Sequence, residues 1–200
     1  MQRQTIRLTL ILVSLLLFTA KVFSQEINPN VLYKLVSPSG LVLEAENSSA
    51  NATLLSLSKA QNGSKEQVWK IEKLPNGSYA ITNPFTNKSI DNDNEQTGNG
   101  NPAIIWDASK SNRNQQWNFA VTGMGSYLIT QRSSGMNLAF SGEDAIGTKV
   151  YQLPNSQQAW RLVPSNIKAP KEIKQKPSKN VWENETIFAI NKEPGHATYY

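Results

Sequence analysis

The sequence predicts an all-β protein built from three copies of one structural unit. Three Gln-x-Trp triplets recur at a nearly fixed interval, beginning at Gln67, Gln115 and Gln158. A second motif repeats in phase with them, because the Gly-Ser-Tyr-Ala-Ile-Thr of 77–82 returns as Gly-Ser-Tyr-Leu-Ile-Thr at 125–130. The Tyr-Lys-Leu of 33–35 stands where a degenerate first copy belongs. A period of roughly forty to fifty residues indicates one supersecondary unit that is used repeatedly.

Each copy consists of short segments with the alternating pattern of β-strands. These segments are rich in branched and aromatic residues and are bounded by Asn, Gly, Ser and Pro. Examples are 31–36, 41–45, 67–71 and 127–130. No stretch of helical period appears before Asn166, so the repeats are expected to contain strands alone.

The number of copies separates two β-folds that use a period of this length. A β-propeller needs at least four blades to close its ring, although Trp106-Asp107 supplies a dipeptide typical of propellers. Three copies of four short strands instead predict a β-trefoil, whose closed barrel leaves no exposed sheet edge. The expected repeats are about 31–75, 76–123 and 124–164. Their Gln-x-Trp tryptophans, which recur in every copy, are expected in the core.

The first 24 residues have the pattern of a signal peptide. Arg3 and Arg7 precede an apolar run from Leu8 to Phe18, and small residues lead up to Ser24. The run is too short to span a bilayer comfortably. We therefore expect an exported protein, periplasmic or secreted, with no membrane association after cleavage. The chain has no cysteine, so its fold has no disulfide.

The net charge of +5 does not indicate a nucleic-acid-binding protein. Residues 31–164 carry eleven Lys/Arg against ten Asp/Glu. The excess lies in the leader and in a lysine-rich tail after Ser165. A basic face with interleaved aromatic residues, which nucleic-acid binding needs, is missing from the repeats.

The three phased triplets resemble the ricin B-type lectins over residues 31–164. The resemblance implies a β-trefoil that binds carbohydrate, here a galactose-type glycan. In the second repeat it implies that Asp91 accepts hydrogen bonds from vicinal hydroxyls and that Trp106 stacks on the sugar ring. It also implies that Asn114 bonds a hydroxyl and that Gln115 supports the site.

The other two repeats depart from that pattern. In the first, Glu44 takes the acidic position and Leu57 falls where the aromatic residue is expected, so Glu44 and Gln67 form a doubtful second site. In the third, Ala139 replaces the acid and Leu153 the aromatic residue. We expect one working site, in the second repeat.

The C-terminal part of the chain differs in composition. Residues 165–180, rich in Lys and Pro, indicate an extended linker. Residues 181–200 resemble the opening of the jelly-roll domain of glycoside hydrolase family 2 β-galactosidases, through Trp182-Glu183-Asn184, Ile190-Asn191-Lys192 and Pro194-x-His196-Ala197. This resemblance implies that the repeats form the N-terminal targeting module of such a hydrolase.

Catalysis by the chain itself finds little support. His196 is the single histidine, which excludes a Ser-His-Asp triad or a multi-histidine metal site. The stretch 91–95 is a polar turn or a weak calcium loop, and it lacks the ligand spacing and Gly of an EF-hand. We expect no metal, no cofactor and a monomer. A spacer or protein-interaction trefoil with decayed sugar sites is the alternative function.

Overall fold

The computed structural model describes residues 26–92, 98–123 and 125–171, and these residues form twelve β-strands. The strands are β1 (Leu32–Val36), β2 (Val42–Ala45), β3 (Thr53–Ser58), β4 (Trp69–Lys73), β5 (Tyr79–Asn83), β6 (Lys88–Asn92), β7 (Asn101–Asp107), β8 (Trp117–Gly123), β9 (Ser126–Gln131), β10 (Asn137–Phe140), β11 (Val150–Leu153) and β12 (Trp160–Pro164). A single turn of 3₁₀ helix, Arg113–Gln115, lies between β7 and β8. Within the described ranges no helix is long and apolar enough to cross a membrane.

Six of the strands close into a barrel. Antiparallel pairing runs from β1 to β12, β9, β8, β5 and β4, and β4 pairs with β1 again. The remaining strands form three hairpins, β2–β3, β6–β7 and β10–β11, which also pair with one another through β7. Each repeat thus contributes four strands to the barrel and its cap of hairpins. The predicted all-β fold of the β-trefoil type is confirmed.

The repeated tryptophans hold each hairpin to the barrel in the same way. Trp69, Trp117 and Trp160 are at most 1% exposed. Their indole N–H groups donate to the carbonyls of Leu43, Ile90 and Leu138 at 3.3, 3.0 and 2.7 Å. Because each carbonyl belongs to the first strand of the hairpin in the same repeat, these bonds define which positions of the three repeats are equivalent.

The repeated tyrosines gather where the barrel strands begin. Tyr33 and Tyr127 belong to the core, and Tyr79 packs against it. Burial raises the pKa of Tyr127 above its usual value, and the neighbouring Tyr33 and Tyr79 raise this pKa further. Tyr127 therefore lies near its counterparts in the other two repeats, as the threefold arrangement of the repeats requires.

The predicted segments at both ends of the chain lie largely outside the described residues. This applies to the signal peptide, to most of the linker and to the segment 181–200. The twelve strands all fall in the first of two units of the chain, residues 1–170. Just after β12, the backbone N–H of Ser165 donates to the Leu32 carbonyl at 2.7 Å, so the chain leaves the barrel beside β1.

Candidate functional site

Gln115 organises the candidate site of the second repeat. Its side-chain amide donates to Asp91 Oδ2 at 2.6 Å and to the Asp107 carbonyl at 2.9 Å. Its side-chain oxygen accepts from the Ser109 backbone N–H at 2.7 Å. Gln115 is 1% exposed and Asp91 is 5% exposed. A buried amide with three partners holds the carboxylate in one orientation at the edge of the hairpin.

Asp91 and Trp106 lie on the same face of the β6–β7 hairpin. Asp91 is opposite Ile104, and Ser89 is opposite Trp106. Paired residues of an antiparallel ladder share a face, and so do residues two apart on one strand. The intervening pair, Ile90 and Ile105, points into the core. The carboxylate and the indole are therefore diagonal neighbours on the face that points away from the core.

Trp106 differs from the other described tryptophans because it is 43% exposed. Its indole makes no hydrogen bond and no ring contact with any described residue. A large aromatic side chain held in a strand but partly open to solvent is suited to cover an apolar ligand surface.

Asn114 completes the arrangement from the 3₁₀ helix. The side chain of Asn112 caps this helix by accepting from the Asn114 backbone N–H at 3.0 Å. The Asn114 side-chain amide makes no hydrogen bond within the described part of the chain. The structure thus brings Asp91, Asn114 and Gln115 together beside β6, with Trp106 across the hairpin.

The first repeat has the same framework around a different acid. Gln67 donates to Glu44 Oε2 and to the Lys59 carbonyl, the latter at 2.8 Å, and accepts from the Gln61 backbone N–H at 2.9 Å. These contacts match those of Gln115 one by one. The predicted pair Glu44 and Gln67 is thus in place, held as Asp91 and Gln115 are held.

The strand register corrects one assignment in the first repeat. Leu57 is opposite Leu43, which makes it the counterpart of the core residue Ile105, and it is 1% exposed. The position that matches Trp106 is Ser58, opposite Val42. The expectation that Leu57 occupies the aromatic position was wrong by one residue, which changes the face of the strand. The first repeat therefore has an acid but no aromatic side chain at this position.

The third repeat uses its glutamine differently. Gln158 donates to the Phe140 carbonyl at 2.9 Å, and its side-chain oxygen accepts from the Phe140 N–H at 2.8 Å. Ala139 occupies the acidic position, and Leu153 matches Trp106, as the sequence predicted. The segment between the aromatic position and the glutamine has four residues (154–157), against eight in the second repeat (107–114). Gln157 stands directly before the motif glutamine, where the second repeat has Asn114, and residues 154–157 form no 3₁₀ helix.

Each hairpin face is extended by a residue from another repeat. Beside Asp91 and Ile104 lies Leu54 of the first repeat. Lys149 of the third repeat bridges to Ser56, which is opposite Glu44. Pro102 of the second repeat pairs with Tyr151, which is opposite Ala139. The three faces therefore differ in chemistry although their framework is shared.

A polar cluster braces the strand that carries Trp106. The Lys88 ammonium contacts Asp107 Oδ1 at 2.5 Å and donates to Asn51 Oδ1 at 2.7 Å. Asn51 in turn donates to Asp107 Oδ2 at 3.0 Å. The hydrogen bonds from Asn51 and then Lys88 hold the pKa of the exposed Asp107 below its usual value. This cluster joins the hairpin of the first repeat to the end of β7.

The described part of the chain contains no candidate metal centre. No group of three potential ligands among His, Cys, Asp and Glu is close enough to hold an ion within the described ranges. Residues 93–95, three of the five in the stretch interpreted as a polar turn or weak calcium loop, lie outside those ranges.

Comparisons with known proteins agree with this architecture. Residues 21–106 match the family described as ricin-type beta-trefoil lectin domain-like. A designed threefold-symmetric protein, ThreeFoil, is 30% identical, with a TM-score of 0.62 over 66% of this chain and 97% of that one. An exo-β-1,3-galactanase from Clostridium thermocellum is also 30% identical, with a TM-score of 0.61 over 70% of this chain and 32% of that one.

A lectin from Polyporus squamosus shares the fold at 15% identity, with a TM-score of 0.58 over 68% of this chain and 49% of that one. No curated protein gives a significant match. The family match includes Asp91 and Trp106, and the solved structures extend the likeness to the whole barrel. The twelve strands of this chain therefore form a ricin-type β-trefoil lectin-like domain.

Proposed function

We propose that the domain binds carbohydrate through the second repeat. The observation that carries the proposal is the shared face of Asp91 and Trp106, with the carboxylate fixed by Gln115. A sugar ring presents an apolar C–H face and a rim of hydroxyls. Trp106 would cover the apolar face, while the Asp91 carboxylate and the Asn114 amide would bond neighbouring hydroxyls.

The preferred ligand in this proposal is a galactose-type glycan. Support comes from the galactanase, which is 30% identical to this chain and whose name specifies a galactose polymer. One stacked ring and three or four hydrogen bonds of about 1 kcal/mol each give a binding free energy of about −4 to −5 kcal/mol. Such a free energy corresponds to a Kd in the millimolar range. Retention on a polysaccharide would then come from tethering or from a second site.

The proposal is tested by titrating the protein with galactose, lactose and glucose and following tryptophan fluorescence and ligand NMR signals. We expect galactose and lactose to perturb Trp106, the exposed indole among the described tryptophans. Trp106→Ala and Asp91→Asn should each weaken binding at least tenfold. Ser58→Ala, at the matching position of the first repeat, is the control and should bind as the wild type does.

Binding that survives in both Trp106→Ala and Asp91→Asn would overturn the site. A folded domain that binds no glycan on an array, but captures a protein partner, would favour the spacer or protein-interaction function instead. Equal binding of glucose and galactose would retain the site and reject the galactose preference.

We further propose that the domain is the targeting module of an exported β-galactosidase-like hydrolase and is monomeric in itself. The chain spans about a third of the length of the galactanase, so in that enzyme a domain of this fold is one part of a longer polypeptide. The resemblance of residues 181–200 to a hydrolase opening supports the same role. Sequencing the coding region beyond the Tyr200 codon tests this role. We expect it to encode a hydrolase domain, and a frame that encodes no hydrolase domain would reject the role.

A further inference from the structure

The face of the third repeat contains a cleft whose side chains differ from those of the other two repeats. The cleft has a volume of about 660 Å³, which lies within the range of small-molecule sites, about 300–1,000 Å³. Its lining residues are Asn99, Gly100, Ser141, Thr148, Lys149, Tyr151 and Leu153. They include no carboxylate, whereas the matching faces of the first and second repeats carry Glu44 and Asp91.

Lys149 and Tyr151 point to the same side of β11. Val150 and Gln152, the residues that alternate with them, are 0% exposed, so Lys149 and Tyr151 lie on the opposite face. Residues two apart on a strand are separated by about 7 Å. Tyr151 is directly opposite Ala139, which is fully buried, so Tyr151 lines the cleft and Ala139 does not.

Neither polar end of this pair has a partner among the described residues. The Lys149 ammonium forms no ion pair and no hydrogen bond with the described residues, and neither does the Tyr151 hydroxyl. Two acidic residues lie in the preceding loop. Asp144 accepts from the Ser37 hydroxyl at 2.8 Å and from the Ser39 backbone N–H at 2.7 Å, which directs it toward the first repeat. Glu143 does not line the cleft.

We propose that this cleft is a second saccharide-binding site that takes an acidic sugar. Tyr151 would stack on the ring, and Lys149 would pair with a carboxylate or sulfate group of the sugar, a charge-assisted contact that a neutral sugar cannot make. The Ser141 and Thr148 hydroxyls and the Asn99 amide would bond the remaining hydroxyls. This site rests on the proposed carbohydrate-binding function, but it uses none of Asp91, Trp106, Asn114 and Gln115; Asn99 and Gly100 reach it from the loop before β7.

The test uses the Trp106→Ala variant, in which the second-repeat site has lost its aromatic side chain. This variant is titrated with galacturonic acid, galactose 6-sulfate and galactose. We expect the two acidic sugars to bind and to shift the NMR signals of β11, with affinity that falls as salt rises. Lys149→Gln and Tyr151→Ala should each weaken this binding at least tenfold. Lys59→Gln, an exposed lysine of the first repeat, is the matched control and should leave it unchanged.

The outcomes separate this site from the one in the second repeat. Acidic sugars that no longer bind once Trp106 is removed, or that bind equally well to Lys149→Gln, would overturn the inference while the second-repeat site remains. Loss of neutral galactose binding in Trp106→Ala, with acidic sugar binding retained, would support both sites. Whichever acidic sugar binds with the lower Kd shows whether the site prefers a carboxylate or a sulfate group.

Discussion

The second and third repeats share a framework but use it for different purposes. In both, the motif tryptophan donates to the carbonyl just before the acidic position, from Trp117 to Ile90 and from Trp160 to Leu138. Gln115 then holds a carboxylate and a loop, whereas Gln158 makes both of its bonds to the backbone of Phe140. The Gln-x-Trp motif therefore indicates the fold, and a binding site depends on what else the repeat supplies.

The shorter loop of the third repeat explains the difference in physical terms. Eight residues separate Trp106 from Gln115. This segment supplies a carbonyl and an N–H that hydrogen-bond the Gln115 side chain, and it also forms the capped 3₁₀ helix. With only four residues before Gln158, that backbone is missing, and the half-buried side-chain amide bonds elsewhere. The Phe140 peptide groups supply the donor and the acceptor that it needs.

The largest expected effect tests whether the framework is the same in the second and third repeats. Trp117→Ala and Trp160→Ala should each lower the free energy of unfolding by about 3–5 kcal/mol, because each removes a buried indole and its hydrogen bond. Trp106→Ala, at a partly exposed position, should stay within about 0.5 kcal/mol of the wild type. Urea denaturation followed by circular dichroism measures all three.

A large loss of stability in Trp106→Ala would mean that this indole is structural, and the contrast between framework and site would fail. A small loss in Trp160→Ala alone would mean that the third repeat is packed differently from the second.

A smaller effect tests the register of the first repeat. Ser58→Trp places an indole on the face that carries Glu44, and the free energy of unfolding should change by less than about 0.5 kcal/mol. Leu57→Trp, one residue earlier, forces the same ring into a filled core and should cost about 1–3 kcal/mol. Chemical denaturation of the two variants gives this comparison directly.

Ser58→Trp should also gain a second, millimolar galactose site with a fluorescence response. The acid and the glutamine of that site are already in place. If Ser58→Trp folds but binds no additional sugar, then Glu44 does not substitute for Asp91 and the first repeat lacks more than its aromatic residue.

Much of this organisation could be predicted from the sequence because it depends on repeated residues. The buried tryptophans and the three repeats follow from the spacing of the motifs, and the grouping of Asp91 with Gln115 is implied by the resemblance to the ricin B-type lectins. The position of Ser58 could not be fixed in the same way, since Leu57 and Ser58 differ by one residue and the register depends on pairing. The unequal loop lengths were visible in the sequence, but their effect on Gln158 required the structure.

The third-repeat cleft could not be predicted for a different reason. Tyr151 meets Pro102, and Lys149 meets Ser56, only because hairpins from different repeats pair in the cap. Such contacts join residues that are far apart in sequence, and no local pattern records them. The alternation of one strand does place Lys149 and Tyr151 on one face, but it does not show which residues of other segments line the same cleft.

The smallest expected effect concerns Asp107, which braces the strand that carries Trp106. Hydrogen bonds from Asn51 and Lys88 lower its pKa, so the unfolded chain binds the proton more readily than the folded protein does. Its contribution to stability is therefore present above about pH 4, the usual pKa of an aspartate, and is lost as the pH falls through the lower folded value. Asp107→Asn should be slightly less stable than the wild type at pH 7, and the difference should shrink as the pH approaches 2. Urea midpoints measured across that range give the curve, and a difference that does not change with pH would show that the charge of Asp107 does not contribute.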